Sequence, residues 1–221
     1  MPLIYKLYDE NMKTETLNIA DYNNIEISNT YDFEIIQSGS FGVSLTADEG
    51  LFRNLKAVND AGTLKVTHSK HIGWKFRLKR PSVKITLPVL NGLKLTGAVS
   101  GKVVGFSSGE DFKLKMTGAS RITVEMDAGA TEFHIRGACQ LVARGSAESS
   151  VIDVNGACEL DMKDFAVQNA AIKLNGTSKC TIKVDGRLDV RLSGISYLYW
   201  IGDPVMGEIR TSGLAALSKV S

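Results

Sequence analysis

Seven glycines in the second half of the chain, Gly97, Gly118, Gly137, Gly156, Gly176, Gly194 and Gly213, stand 21, 19, 19, 20, 18 and 19 residues apart. A unit of this length with short strands cannot bury its own apolar face, so recurrence at a period near 20 specifies a stacked array. Four residues before the glycines lie Leu93, Leu114, Phe133, Ile152, Ile172, Val190 and Ile209, and two before them Leu95, Met116, Ile135, Val154, Leu174 and Leu192. Apolar residues return four after the glycine (Ile122, Leu141, Leu160, Cys180, Leu198) and six after it (Val103, Val124, Ala143, Met162, Ile182, Trp200). The positions between are polar: Thr96, Thr117, Arg136, Asn155 and Asn175 just before the glycine, and Ser100, Arg121, Gln140, Glu159, Lys179 and Tyr197 three after it. This two-residue alternation is incompatible with a helix and places one set of side chains inside and the other outside. It runs through a glycine corner whose inward neighbours, Ser120, Cys139, Cys158, Ser178 and Ser196, are small.

A circuit of about 19 extended residues at roughly 3.3 Å each closes a perimeter of about 60 Å, and successive circuits stack about 4.8 Å apart. The pattern predicts an all-β fold, a right-handed parallel β-helix (β-solenoid), with less regular N-terminal strands. An antiparallel sandwich also has frequent short strands, but gives no reason for equivalent positions to recur seven times. Residues 1–221 read as one domain, with irregular strands over 1–92 and regular glycine-marked repeats over 93–221. In the first part, Phe33, Ile35, Phe41, Val43 and Leu45 alternate around Gly39, and Asp60-Ala61-Gly62-Thr63 reads as a turn into a strand.

The near balance of 26 basic and 24 acidic residues, a net charge of +2, removes any whole-molecule field for specific nucleic acid. Three dispersed cysteines lack the spacing of a zinc or redox motif and are too few for a disulfide scaffold. Cys139 and Cys158 occupy equivalent inward positions one circuit apart, with α-carbons expected within about 5 Å, which suits either a disulfide or a ladder of small buried residues. The chain shows no export signal and no apolar run of transmembrane length, so it reads as soluble, and as cytoplasmic if Met1 is the native start.

The alternating FEIIQSGSFGVSL, the NDAGTLKV turn and strand, the serial T-G-A-S, N-G-A-C, N-G-T-S and L-S-G-I-S corners and the closing Y-L-Y-W-I-G-D-P together resemble the auto-transporter adhesin head GIN domain family. The resemblance covers about residues 17–221. It implies a right-handed β-helix-like domain displayed at the cell envelope or extracellularly, adhesion, and no catalytic residues to carry over. Trp200-Ile201-Gly202 stands where the family often has Y-x-G.

Three surface features are candidates for binding. Lys94, Lys115, His134, Asp153, Lys173, Arg191 and Arg210 lie three residues before each glycine, and stacking in register makes them a stripe, cationic apart from Asp153, suited to an anionic glycan or lipid surface. The same row also suits a solvated face whose charges oppose aggregation. Trp74, Phe76 and Leu78 alternate with Lys75, Arg77 and Lys79, separating an aromatic from a basic face. The outward alanines Ala98, Ala119, Ala138 and Ala157 form a flat uncharged row suited to contact.

Catalysis has one candidate cluster. β-Helices also host polysaccharide lyases and hydrolases, and Glu159 and Asp161 share an outward face near Lys179 and Arg121; exposed carboxylates beside lysine equally serve to solvate a sheet. His68 and His71 are three apart with no third ligand, so no metal and no cofactor are expected. Phosphate loops, dinucleotide fingerprints, nucleophile elbows and zinc-protease motifs are absent from the sequence. The reading is a non-catalytic adhesin-like binding or structural module, with a polysaccharide-acting enzyme or an anionic-lipid binder as alternatives. A homo-oligomer, or packing by the N-terminal region, is expected to cover the open strand edge after the last repeat.

Overall fold

The computed structural model describes residues 12–69 and 80–220. The strands are β1 (Met12–Leu17), β2 (Asn24–Gln37), β3 (Gly42–Asp48), β4 (Leu55–Asp60), β5 (Thr63–His68), β6 (Ser82–Leu87), β7 (Gly92–Phe106), β8 (Phe112–Gly118), β9 (Arg121–Gly137), β10 (Gln140–Gly156), β11 (Glu159–Gly176), β12 (Lys179–Gly194), β13 (Tyr197–Ile201), β14 (Val205–Thr211) and β15 (Ala216–Lys219). One short 3-10 turn, Glu49–Asn54, separates β3 from β4. From β9 to β12 each circuit is a single long strand that bends at its corners and runs to the next glycine, and these strands pair in parallel. The chain is therefore the parallel β-solenoid that the glycine period demands.

The registers pile equivalent residues into columns. Ile25, Leu93, Leu114, Phe133, Ile152, Ile172, Val190 and Ile209 are successive partners. All are buried except Ile209, whose column has no coil beyond it among the described residues. Phe133 anchors the interior, with its ring 6.4 Å from Phe112 and 6.2 Å from Phe165 in edge-to-face arrangements.

The glycine column explains why a glycine recurs at each corner. Gly97, Gly118, Gly137, Gly156, Gly176 and Gly194 all have positive φ, and a Cβ on any of them would overlap the backbone carbonyl one coil below. Hydrogen bonds run straight through this corner: Ala138 N–H donates to Gly118 O at 2.8 Å and Ala157 N–H to Gly137 O at 2.8 Å. The small residue two positions on uses the same carbonyl's second lone pair. Ser120, Cys158 and Ser178 donate to the glycine oxygen of the preceding coil at 3.2, 3.4 and 2.9 Å. A serine hydroxyl and a cysteine thiol serve alike there, so Cys139 and Cys158 belong to the small-residue ladder, while Cys180 stands in the inward column between Leu160 and Leu198, and all three cysteines are free and buried. The mutual influence of the two neighbouring thiols lowers the pKa of Cys139 and, with burial, raises that of Cys158, while burial pushes Cys180 up to about 12.

The N-terminal part holds the less regular strands expected of it, and one of them joins the stack. β2 is itself a regular coil, in register with β7 from Asn24↔Gly92 to Ile36↔Val104, so the stack reaches back before residue 92. Its corner is Asn29 at φ 79, paired with Gly97, and not Gly39, which lies in the bend between β2 and β3. Asparagine is the residue that tolerates left-handed backbone best after glycine, and its Nδ2 donates to His68 O at 2.7 Å. β5 and β6 pair parallel to β2 on its outer side, and then the direction flips: β4 pairs antiparallel to β5, β3 to β6 and β1 to β3. The turn over Ala61 and Gly62, both at positive φ, closes the β4–β5 hairpin as expected. The N-terminal strands thus cover the first coil, at the opposite end from β14 and β15.

Ser150 is 1% exposed, its Oγ has no hydrogen-bond partner, and Ala170 fills the same column in the next coil. Replacing Ser150 by alanine removes an unpaired buried hydroxyl and should raise stability by about 1 kcal/mol, measured by urea unfolding. A loss of stability would show that the hydroxyl has a partner in solution.

Candidate binding groove

A depression of about 710 Å3 runs along the solenoid axis beside the glycine corner. Its shape follows from side-chain size. The outward position after the glycine is alanine in four consecutive coils, of which Ala119, Ala138 and Ala157 line the groove, while the outward position two residues further carries Arg121, Gln140, Glu159, Lys179 and Tyr197. Low methyls beside long polar side chains leave a valley that every coil extends by one rung. The six rungs from Ser100 to Tyr197 span about 24 Å. Arg80 stands at one end, 3.5 Å from Ser100 Oγ and 3.6 Å from Asp32. Ile195 and Tyr197, each more than two-fifths exposed, stand at the other.

The polar wall is pre-ordered. Arg121 Nε donates to Gln140 Oε1 at 2.6 Å, and Lys179 Nζ lies 5.7 Å from the Tyr199 ring centroid. The register Arg121↔Gln140↔Glu159↔Lys179 brings together the cluster expected around Glu159. Asp161 does not join it: Glu159 lines the groove, whereas the Asp161 carboxylate accepts from Lys163 N–H at 3.4 Å and lies 3.8 Å from that lysine's ammonium. The floor is apolar and the wall offers cationic, anionic, amide and aromatic groups, a combination that takes a ligand with one apolar face and a hydroxylated rim.

The expected stripe is also assembled, since Lys94, Lys115, His134, Asp153, Lys173, Arg191 and Arg210 are successive register partners. Its cations are mostly matched by carboxylates. Lys94 lies 2.9 Å from Glu26, Lys173 3.9 Å from Asp153 and Arg191 2.8 Å from Glu208, which also pairs with Arg210, and His134 lies 3.3 Å from Glu132. Glu132 also pairs with Lys113, and its hydrogen bonds with Lys113 and His134 hold its carboxyl below the usual range. Glu26 and Asp153 neutralise from within the same column, whereas the row two residues upstream supplies Glu132 and Glu208, which considering one row in isolation missed. Asp189 is held down to about 2 by the Arg187 guanidinium and by the Glu208 N–H. Lys94, Lys113 and Lys115 surround a smaller hollow of about 250 Å3 together with Glu26. The segment Trp74, Lys75, Phe76, Arg77 and Lys79 lies outside the described residues, as does His71. His68 packs 5.6 Å from the Tyr31 ring, and its Nε2 accepts from Thr30 N–H at 3.4 Å. Among the described residues no three His, Cys, Asp or Glu converge on a possible metal position, and no helix is long and apolar enough to cross a membrane.

Fold and surface together define a parallel β-solenoid that exposes ladders of like side chains and a lengthwise groove. The chain belongs to the family described as "Putative auto-transporter adhesin, head GIN domain", whose model matches residues 21–204. An adhesin-like structure from Bacteroides fragilis is similar to it at TM-score 0.87 and 14% identity, over 96% of this chain and 98% of that one. A structure from Parabacteroides distasonis described as a "Putative lipid binding protein" has TM-score 0.76 and 20% identity over the same shares, and an adhesin-like one from Parabacteroides merdae has 0.70 and 18%, again over 96% and 98%. At these identities the likeness shows a shared fold. No curated protein sequence matches the chain.

Proposed function

We propose that this chain is a cell-envelope adhesin module that holds an extended, hydroxyl-rich glycan lengthwise along the alanine-floored groove. The observation that carries this reading is the juxtaposition of Ala119, Ala138 and Ala157 with the rung-spaced wall from Arg121 to Tyr197. A sugar ring presents an apolar C–H face and a polar rim, and the groove repeats an apolar floor and hydrogen-bonding wall every 4.8 Å or so. Tyr197 offers an exposed ring for stacking at one end. The family's adhesin description supports the envelope placement.

Glycan-array binding followed by calorimetry on the best extended oligosaccharide is the test. Tyr197→Ala should weaken binding about tenfold, the equivalent of ~1.4 kcal/mol. Ala138→Trp, which fills the valley from an exposed position, should abolish binding while the melting temperature stays near that of the parent. Undiminished binding by Ala138→Trp would defeat the groove reading.

The hollow between Lys94, Lys113 and Lys115 favours a second reading, in which anionic lipid or an acidic glycan is held on the charged row. Changing Lys94 and Lys115 to glutamine should then release the protein from phosphatidylglycerol vesicles. Unchanged vesicle binding by that pair of substitutions, or no vesicle binding by the parent, removes it.

A further inference from the structure

The two ends of the solenoid are finished differently. At the N-terminal end the outermost described strands, β1 and β4, carry Lys13, Glu15, Lys56 and Asp60 along their edges, which is how sheets discourage edge-to-edge pairing. At the other end β14 follows β12 and β15 follows β13, and no described strand pairs with their outer edges. Apolar side chains are exposed there: Val205 at 70%, Ile209 at 44% and Leu214 at 74%.

The hydrogen-bonding groups of β14 define what fits. Ser212 N–H points down to Leu192 O at 3.0 Å and Glu208 N–H down to Asp189 Oδ1 at 2.7 Å. The ladder with β12 bulges between Met206 and Ile209, and beyond the bulge backbone groups alternate sides along the strand, so the N–H and C=O of Ile209 and of Thr211 face the open edge. An antiparallel copy of β14 centred on Ile209 would exchange both Ile209 hydrogen bonds across a two-fold axis. The same register sets each Glu208 opposite Arg210 of the other copy, and both are outward-facing, oppositely charged residues. Ile209 points inward, so two copies would continue one apolar column through the junction.

We propose that β14 is a self-complementary edge by which two copies of this chain join end to end, antiparallel, with the two-fold at Ile209. The occupant is a second copy and not an unrelated strand, because the charge order Glu208-Ile209-Arg210 is matched by its own reversal. The contact is isologous and uses up the edge it creates, so assembly closes at two.

Analytical ultracentrifugation of the full chain over a concentration series should show the mass rise from 23.9 kDa to twice that value. Glu208→Lys alone and Arg210→Glu alone should each weaken association at least tenfold, and the double variant should restore it, since the opposed pair is then reversed but still matched. Ile209→Cys should form an intermolecular disulfide on mild oxidation, whereas Glu208→Cys, which faces position 210 of the partner, should not. Thermal melting of each variant separates loss of pairing from loss of fold. A parent that stays monomeric at 100-micromolar order, assembly beyond two copies, or a double variant no better than the singles would each overturn the proposal.

Discussion

Gly137→Val is expected to cost this protein at least ~3 kcal/mol, enough to lower the melting temperature by roughly 6–12 °C in a chain of this size. Two effects combine. Gly137 has φ +115, a conformation that a β-branched residue adopts only under strain, and its Cβ would overlap the carbonyl oxygen of Gly118. That oxygen accepts the Ala138 N–H bond and lies on the path of the corner ladder, so relieving the overlap pulls two coils apart where they are most closely joined. Gly39→Ala provides the contrast, since nothing lies within 4 Å of its added Cβ and its φ is ordinary. It should change stability by less than about 0.5 kcal/mol. Circular dichroism melts of the two variants side by side decide the matter: similar small shifts in both would mean that the corner column is not what holds the coils at their spacing.

Phe133→Ala should destabilise by about 3–5 kcal/mol, seen as a lower urea midpoint with an unchanged slope. The ring is fully buried between Phe112 and Phe165, and the coils on either side are fixed by their own ladders. Little collapse is possible, so most of the cavity persists. Ile209→Ala, in the same column but 44% exposed at the last coil, should cost under about 1 kcal/mol in the monomer. Equal costs at the two positions would contradict the column as a graded interior that fades toward the open end.

The alternation that surrounds each glycine was legible because burial in a stacked sheet has a period of two, and the corner admits one residue type. Leu114, Phe133, Ile152 and Ile172 therefore fall into one column as their positions demanded. Asn29 was not legible as a corner, because asparagine also fills ordinary turns and its coil is followed by the long excursion from 38 to 91 before β7 resumes the stack. The antiparallel cap was hidden for a related reason: β3 and β6 read as good strands, but strand propensity carries no information on pairing direction. The basic stripe was foreseen as a row, and the structure adds its neutralisation. Glu132 and Glu208 sit at a different repeat position and reach the row along their own strands, at His134 and Arg210, and across to the neighbouring coil, at Arg191.

The sequence alone determined that this chain is a stack of β-coils, which residues face in, and which outward residues share a column, because those properties depend on spacing along the chain. The three-dimensional arrangement decided which charges are matched, which end of the stack is covered, and that the alanine row lies at the bottom of a valley and not on a plane. These depend on distances between neighbouring rows and on the angle at which the backbone turns, and the period of a repeat specifies neither.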